Sequence, residues 1–408
     1  MHRITLILIL FLLLPDMYIY LVYIVKKTRS VIRRSIYWLP TVVLVALYLY
    51  YIYMAGENAL SRHPQSIGRL AVAVMLFAVP KTVFMLCSLL GILMRGISRF
   101  LSFAIFRTPF RNPRFPFVAH RLPYTLLGLI LGTITFANIL YGAIVGIKRF
   151  EVKDVEYHST NLPKGFDGYR ILQLSDIHIG SWQGNPEAIR QLVNLVNEQK
   201  ADLIVFTGDL VNQQSHELDS FKEILSQLHA PGGVYSVLGN HDYGTYYCWH
   251  SRKEEVANLE YLIEQQKDMG WKMLNNEHTI IHHKGDSIAL IGVENDGEPP
   301  FSQFADFPKA IQGTEGMFRI LLSHNPTHWR REVLPDSDIE LTLSGHTHAM
   351  QMEMLGHSLA SLIYPEWSGM YYEGKRALYV NVGIGYVGLP FRFGAWPEIT
   401  VIKLVCEN

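Results

Sequence analysis

The sequence predicts an all-α, four-helix membrane domain followed by an α/β domain built as a layered β-sandwich flanked by helices. Three observations predict it. First, the 408 residues carry no net charge, yet the charge is divided: residues 1–147 hold 15 Lys/Arg against two acids, a net +13, and residues 148–408 hold 21 against 34, a net −13. Second, the basic part contains four long apolar segments. Third, from about residue 168 short apolar runs recur, and many stop in Asp, Asn or His.

The four apolar segments are 4–25, 36–55, 70–94 and 122–147. A helix of about 20 apolar residues spans a hydrocarbon core, and a cleavable signal peptide explains one such segment, not four. Cytoplasmic loops collect Lys and Arg. Residues 26–34 carry five and residues 95–121 carry six, against two in residues 56–69. That bias sets the N-terminus and the loop 56–69 outside, and with them the acidic half, so the second domain is expected to be extracytoplasmic. Lys148, Arg149 and Lys153 on that side run against the rule. Tyr48, Tyr50, Tyr51 and Tyr53 cluster at one end of the second segment, as an interfacial belt does.

Two charges lie inside the spans, each after a proline: Asp16 after Pro15 and Lys81 after Pro80. A charge in hydrocarbon is costly without a partner. Two readings stand: an Asp16–Lys81 ion pair between proline-kinked helices, or separate contacts with a wet cavity.

Residues 148–167 read as a linker or an edge strand, and 168–408 as the α/β domain. The runs 169–178, 201–211, 232–242, 287–296, 318–326, 339–348, 377–385 and 399–405 are apolar on successive positions, as strands buried on both faces are. Helix-like stretches at 186–199, 215–229 and 252–269 alternate with the first of them, which suggests layered α/β architecture. Three cysteines without a CxxC pair, Cys87, Cys248 and Cys406, support neither a disulfide framework nor a zinc ribbon.

Ligands of α/β sheets bind where strands end. Five strand ends offer Asp176 and His178; Asp209; Asn240, His241 and Asp242; His324; and His346 and His348. Singly each has an ordinary explanation, since Asp and Asn make turns and a lone His is commonly structural; His282, His283 and His357 are read that way. Together they form a set of carboxylate, imidazole and amide ligands suited to divalent metals such as Mn, Fe or Zn, too numerous for one four-coordinate ion. Asp-x-His and His-x-His spacing puts side chains two apart on one side of a strand, so one turn can deliver two ligands.

The order of these motifs, Asp176-Ile-His178, Gly208-Asp209, Gly239-Asn240-His241-Asp242, His324 and Gly345-His346-Thr347-His348, resembles the calcineurin-like metallophosphoesterases. The apolar segments and the tail "VNVGIGYVGLPFRFGAWPEITVIKL" resemble the membrane-attached branch of that family, which includes phosphodiesterases resembling UDP-2,3-diacylglucosamine pyrophosphohydrolase. The resemblance implies two divalent metal ions, one held by Asp176, His178 and His348, the other by Asn240, His324 and His346, with Asp209 bridging. It implies His241 as the catalytic group that binds phosphate and protonates the leaving group. Asp242 either orients His241 or caps a turn. Two departures stand out. Asn212 replaces the second Asp of Gly-Asp-x-x-Asp, and Ala349-Met350 replace the glycines of His-x-His-Gly-Gly-Gln.

The expected function is a membrane-anchored hydrolase of phosphoric esters or anhydrides, a phosphodiesterase or pyrophosphatase with a dinuclear centre and a bridging hydroxide. A lipid-linked phosphate, UDP-diacylglucosamine-like or another phospholipid, is the expected substrate. The alternative is a membrane-bound regulatory or sensing protein with a metal-binding phosphoesterase module. A domain of charge −13 repels phosphate backbones, which disfavours nucleic acid as a partner.

Overall fold

The structure, a computed structural model, describes residues 2–55, 64–106 and 122–407. The chain divides into two compact units, Met1–Ala143 and Ile144–Asn408.

The first unit contains α1 (His2–Ile19), which continues through a π-turn at Tyr20–Ile24 into Val25–Lys27, then α2 (Val31–Ala55), α3 (Pro64–Phe106) and α4 (Leu122–Ile144). All four are long and apolar enough to cross a membrane, and at most 28% of any span is buried within the chain. Their apolar surface therefore faces outward, which water does not tolerate and lipid does. The chain is an integral membrane protein. In two of the three loops used to orient it, residues 56–63 and 107–121 lie outside the described residues, while 64–69 and 95–106 belong to α3. Arg95 and Arg99 therefore ride a helical extension of the apolar span.

The helices pack through small residues. A Cβ on Gly128 would stand 2.9 Å from Cys87 Cβ, and one on Gly132 would stand 3.0 Å from the Pro80 carbonyl oxygen. The intramembrane charges meet: Lys81 Nζ lies 2.6 Å from Asp16 Oδ1. Tyr37 donates to the same oxygen at 3.0 Å, Thr41 donates to Asp16 Oδ2, and Asp16 is buried. Lys81 also borders a cavity of about 290 Å³ with Pro80, Phe84 and Gly132. Asp16 does not line that cavity, so of the two readings the ion pair is the one the structure shows.

The second unit holds twelve strands: β1 (Glu151–Ser159), β2 (Arg170–Leu174), β3 (Leu203–Phe206), β4 (Val234–Ser236), β5 (Lys272–Met273), β6 (Glu277–His283), β7 (Asp286–Gly292), β8 (Arg319–Leu322), β9 (Leu341–Ser344), β10 (Gly369–Glu373), β11 (Arg376–Val380) and β12 (Glu398–Cys406). They form two six-stranded sheets, ordered β1-β12-β2-β3-β4-β5 and β10-β11-β9-β8-β7-β6. Strands β2 to β5 are parallel, as are β7, β8, β9 and β11. Strand β1 forms the edge of the first sheet, parallel to β12 from Glu151↔Glu398 to Ser159↔Cys406.

Alternation along each strand divides its side chains between two cores. Leu203 and Val205 join a core between the sheets with Ile288, Ile320 and Leu343. Ile204 and Phe206 join a second core with Ile189, Leu192 and Val196 of α5 (Pro186–Glu198) and Leu262 of α6 (Arg252–Asp268). A third core covers the far face of the second sheet, with Phe307, Trp329 and Val333. The result is four layers, with both sheets buried on both faces. The expected helix over 215–229 breaks into short turns at Ser215–Leu218 and Lys222–Leu225. The break falls at Asp219–Phe221, where the Asp219 carboxylate accepts from Gln265 and Tyr261 of α6, so a tertiary contact takes the place of a helical turn.

Candidate metal centre

The candidate residues lie just beyond the C-terminal ends of β2, β3, β4, β8 and β9, where the parallel parts of both sheets end together. They are delivered by sharp turns rather than by the pleat. Asp176, His178, Asp209, His346 and His348 all have left-handed backbone, with φ between 44° and 73°. Such conformations cost about 1–3 kcal/mol each for a side-chain-bearing residue and collect at functional sites. The two-residue spacing therefore works through a left-handed turn past the strand, not through two positions on one strand face.

Glycines make room for these turns. A Cβ on Gly239 would stand 2.2 Å from Asp209 Oδ1, and one on Gly345 would stand 1.9 Å from Ser175 Oγ. The Gly of Gly-Asn-His-Asp and the Gly of Gly-His-x-His are thus fixed by close approach.

The donor atoms gather in two overlapping groups. In the first, His348 Nε2 lies 3.1 Å from Asp176 Oδ1 and 3.1 Å from His178 Nε2. In the second, His324 Nε2 lies 3.2 Å from His346 Nδ1 and 3.1 Å from Asn240 Oδ1. Asp209 Oδ2 stands between them, 3.7 Å from His178 Nε2 and 3.2 Å from His324 Nε2. His346 and His348, one residue apart, face different groups. Asp176, His178, His324 and His348 are buried.

Neighbouring groups aim these ligands. His178 Nδ1 lies 3.2 Å from the Val211 carbonyl, and His324 Nδ1 lies 2.8 Å from that of Thr207, which leaves each Nε2 for the centre. The Asn240 amide donates to Tyr246 at 3.0 Å, which turns its oxygen inward. His346 Nε2 meets the Tyr364 hydroxyl at 3.1 Å. His348 Nδ1 lies 3.0 Å from Arg392, a fully buried guanidinium that also donates to the carbonyls of Gly385, Val382 and Ala395.

The electrostatics favour a cation. Burial holds the His178 imidazole well below its ordinary pKa, His346 down to about 3, and His348 below its ordinary value. Neutral imidazole is the form that binds a metal. Burial also depresses His324, but the Asp209 carboxylate outweighs it and raises the pKa to about 9. Burial pushes both carboxyls up, yet His348 beside Asp176, and His324 and His241 beside Asp209, hold them below the usual range. Asp176 Oδ1 is buried without a hydrogen bond. The ionised Asp176 oxygen has the ring nitrogens of His348, at 3.1 Å, and His178, at 3.8 Å, beside it, and carboxylate, imidazole and amide donors gathered this closely suit a divalent cation such as Mn, Fe or Zn.

His241 stands at the edge of both groups. Its ring meets that of His178 edge-on at 4.8 Å, and its backbone N–H donates to Asp209 Oδ1 at 2.8 Å. Its Nδ1 donates to the main-chain carbonyl of Asn212 at 2.6 Å, which fixes the ring. The Asn212 side chain turns away and accepts from the Ser181 N–H. A carboxylate at position 212 is therefore not needed to orient His241. Asp242 caps the turn: it accepts from the backbone N–H groups of Asp209, Leu210, Val211 and Gly239. It holds two ligand loops together and does not touch the His241 ring.

Sequence reasoning missed Tyr246, Tyr364 and Arg392. Arg392 left a signal, the one charge between Val380 and Pro397; the tyrosines left none. A further group, Asp296, His328 and Glu332, is also close enough to hold an ion. Arg331 already pairs with Asp296, and Glu332 with His328, so it is an ion-pair network.

Residues 2–147 match the family model of a probable calcineurin-like phosphoesterase transmembrane domain, and residues 169–350 match that of the calcineurin-like phosphoesterases. A transmembrane protein with metallophosphoesterase domain from Danio rerio is 36% identical over 290 residues, covering 69% of this chain and 62% of its own. The metallophosphoesterase YkuE of Bacillus subtilis is 32% identical over 301 residues, covering 68% and 96%. The UDP-2,3-diacylglucosamine pyrophosphatase LpxG of Chlamydia trachomatis is 27% identical over 338 residues, covering 69% and 96%. The chain thus spans less than two thirds of the Danio rerio relative's length.

Proposed function

The chain belongs to the calcineurin-like metallophosphoesterases, in the form that carries a four-helix transmembrane domain, and from that membership we propose that it hydrolyses a phosphodiester or pyrophosphate on a lipid-linked substrate with two divalent metal ions. The observation that carries the reading is the pair of donor groups meeting at Asp209. Asp176, His178 and His348 would hold one ion, Asn240, His324 and His346 the other, and Asp209 both. Held there, two such ions would supply Lewis-acid charge for the phosphoryl oxygens and acidify water.

The rest of the chemistry falls to the chain. His241 Nε2 contacts the phosphoryl group and carries the proton to the departing oxygen, with Asn212 O fixing its ring. Asp242 ties the Asp209 loop to the Asn240–His241 loop, so ligands and proton donor keep one geometry. Arg392 and Tyr364 fix the two histidines of the last motif from behind. The lipid-linked substrate rests on the four spans and on the pyrophosphatase relative. The Lys/Arg bias puts the domain outside the cytoplasm, where a phospholipid or polyprenyl-type headgroup is a better substrate than a cytoplasmic nucleotide-sugar lipid. A membrane-impermeant maleimide added to intact cells should then label the exposed Cys248; labelling only after lysis reverses the side.

The test uses the full chain in detergent with Mn²⁺, offered an aryl phosphodiester, an aryl monoester and a panel of lipid diphosphates. Asp209→Asn should lower kcat by about 1,000-fold or more, and His241→Ala by about 100-fold or more. Activity indifferent to Asp209→Asn refutes the shared-carboxylate centre. Bound metal without turnover of any ester favours a regulatory or sensing module instead.

A further inference from the structure

Exposed apolar side chains in the phosphoesterase domain are concentrated in one place. From residue 148 onward twelve large apolar side chains are exposed, and six of them fall between Met350 and Ile363: Met350, Met354, Leu355, Leu359, Leu362 and Ile363. Leu355 is 97% and Leu362 81% exposed. Contiguous exposure of this kind marks a contact surface.

The segment is held, not loose. Ser358 donates to the Ala349 carbonyl at 2.5 Å and accepts from the Ala360 N–H at 3.1 Å. Ala360 is buried, and its carbonyl accepts from Tyr364 N at 2.8 Å. The buried small residues anchor the backbone while Leu359, Leu362 and Ile363 stay outside.

Both ends of the segment lead somewhere. At one end, Met350 follows His348 by two residues, and at the other the Tyr364 hydroxyl meets His346. The near end also joins the strap Arg392–Pro397: Glu353 N bonds the Phe393 carbonyl at 2.8 Å, and Phe393 N bonds that of Gln351 at 3.0 Å. The same strap receives the chain as it leaves the last transmembrane helix. Helix α4 ends at Ile144, and Gly146 lies so close to Arg392 that a Cβ there would stand 2.1 Å from its carbonyl oxygen. Arg149 stacks on Trp396 at 4.6 Å, and Glu151 N bonds the Pro397 carbonyl at 2.8 Å. Within the second unit, the strap thus links the residues that follow α4 to the near end of the apolar segment, and Tyr364 links its far end to His346.

We propose that Met350–Ile363 is an interfacial collar, which buries its apolar side chains in the hydrocarbon boundary of the bilayer that α1 to α4 span. The occupant is lipid. An apolar segment that the strap ties to the residues just after a membrane span meets hydrocarbon without a search in solution, and backbone hydrogen bonds at Met354, His357, Ser361 and Ile363 hold it in place. The collar holds the centre at headgroup depth, so a phosphoester need not leave the bilayer to reach it. That last consequence rests on the phosphohydrolase reading; insertion does not.

The test reads insertion without turnover. The full chain, with Cys87, Cys248 and Cys406 changed to Ala, carries Leu362→Cys labelled with bimane and is placed singly in nanodiscs of phosphatidylcholine, with and without brominated acyl chains. Leu355→Cys is a second reporter, tolerated because the side chain is exposed. Lys284→Cys, exposed on the β6–β7 turn, is the control. Bromolipid should quench bimane at 362 or 355 about threefold or more over that at 284, as an acyl-depth position requires. Equal quenching at the three positions overturns the collar, as does loss of the difference when particles hold two chains, which assigns the surface to a second copy. An inactive protein with quenched collar labels sinks the hydrolase reading alone; an active one without quenching sinks the collar alone.

Discussion

The two halves of the molecule each bury a carboxylate, and they treat it in opposite ways. In the membrane, Asp16 has both oxygens occupied: Lys81 and Tyr37 on one, Thr41 on the other. In the phosphoesterase domain, Asp176 has one oxygen occupied by Ser175 and the His346 N–H, and the other buried without a hydrogen bond. The backbone differs too. Asp16 sits within a helix, whereas Asp176 and four of its fellow candidates are left-handed. A closed network is a structural element. An open, strained one is built for a group from outside. Buried polar atoms are normally satisfied, so the orphaned oxygen separates a site from a brace.

That contrast breaks most visibly on metal removal. A chelator should abolish hydrolysis and destabilise the phosphoesterase domain by about 4 kcal/mol if the ions are present at about 1,000 times their dissociation constant. For a domain of this size that is a melting shift of about 10 °C. Six of the seven tryptophans, all but Trp38, lie in this half, so intrinsic fluorescence reports it. A melting curve indifferent to chelator would show that the open network satisfies itself.

The same contrast explains what was legible in the sequence. The four apolar spans, the buried strands and the strand-end clusters of Asp, Asn and His are patterns of residue type at short range, and they could be read. The Asp16–Lys81 pair could be narrowed to two readings because two charges in hydrocarbon must be accounted for. The β1–β12 pairing joins residues nearly 250 positions apart, and no local pattern announces it. The stretch 215–229 has helical composition, but a contact from Asp219 to α6 ends the helix early. Asn212 looked like a loss because only side chains are visible in a sequence. The group that orients His241 is the Asn212 carbonyl, which every residue has.

A smaller effect tests the closed side of the contrast. Asp16→Asn or Lys81→Met alone leaves a charge in hydrocarbon, and each should cost about 3 kcal/mol. The double variant removes both charges and should cost less than either single change. Reversible unfolding in mixed detergent micelles measures the cycle. Additive costs would show that the two side chains act separately.

The smallest effect concerns where each half uses glycine. In the membrane, Gly128 and Gly132 have ordinary helical backbone and are needed for room, since a Cβ would press on Cys87 or Pro80. Beside the metal centre the reverse holds: Ala349 and Met350 have φ of 48° and 47° and are not glycine. Left-handed backbone costs a residue with a Cβ about 1–2 kcal/mol, and the greater freedom of unfolded glycine offsets about half of that. Met350 is 41% exposed, so Met350→Gly gives up part of a side chain's packing and should stabilise the domain by at most roughly 0.5 kcal/mol. Ala349 is fully buried against Val382 and Ala395, so Ala349→Gly loses a packed methyl and should come out near zero. Chemical denaturation followed by tryptophan fluorescence separates the two. If both stabilise equally, backbone strain alone governs the turn. If Met350→Gly destabilises, the methionine makes a contact in the bilayer-facing collar that outweighs its strain, and the missing glycine is then a matter of lipid rather than of the metal loop.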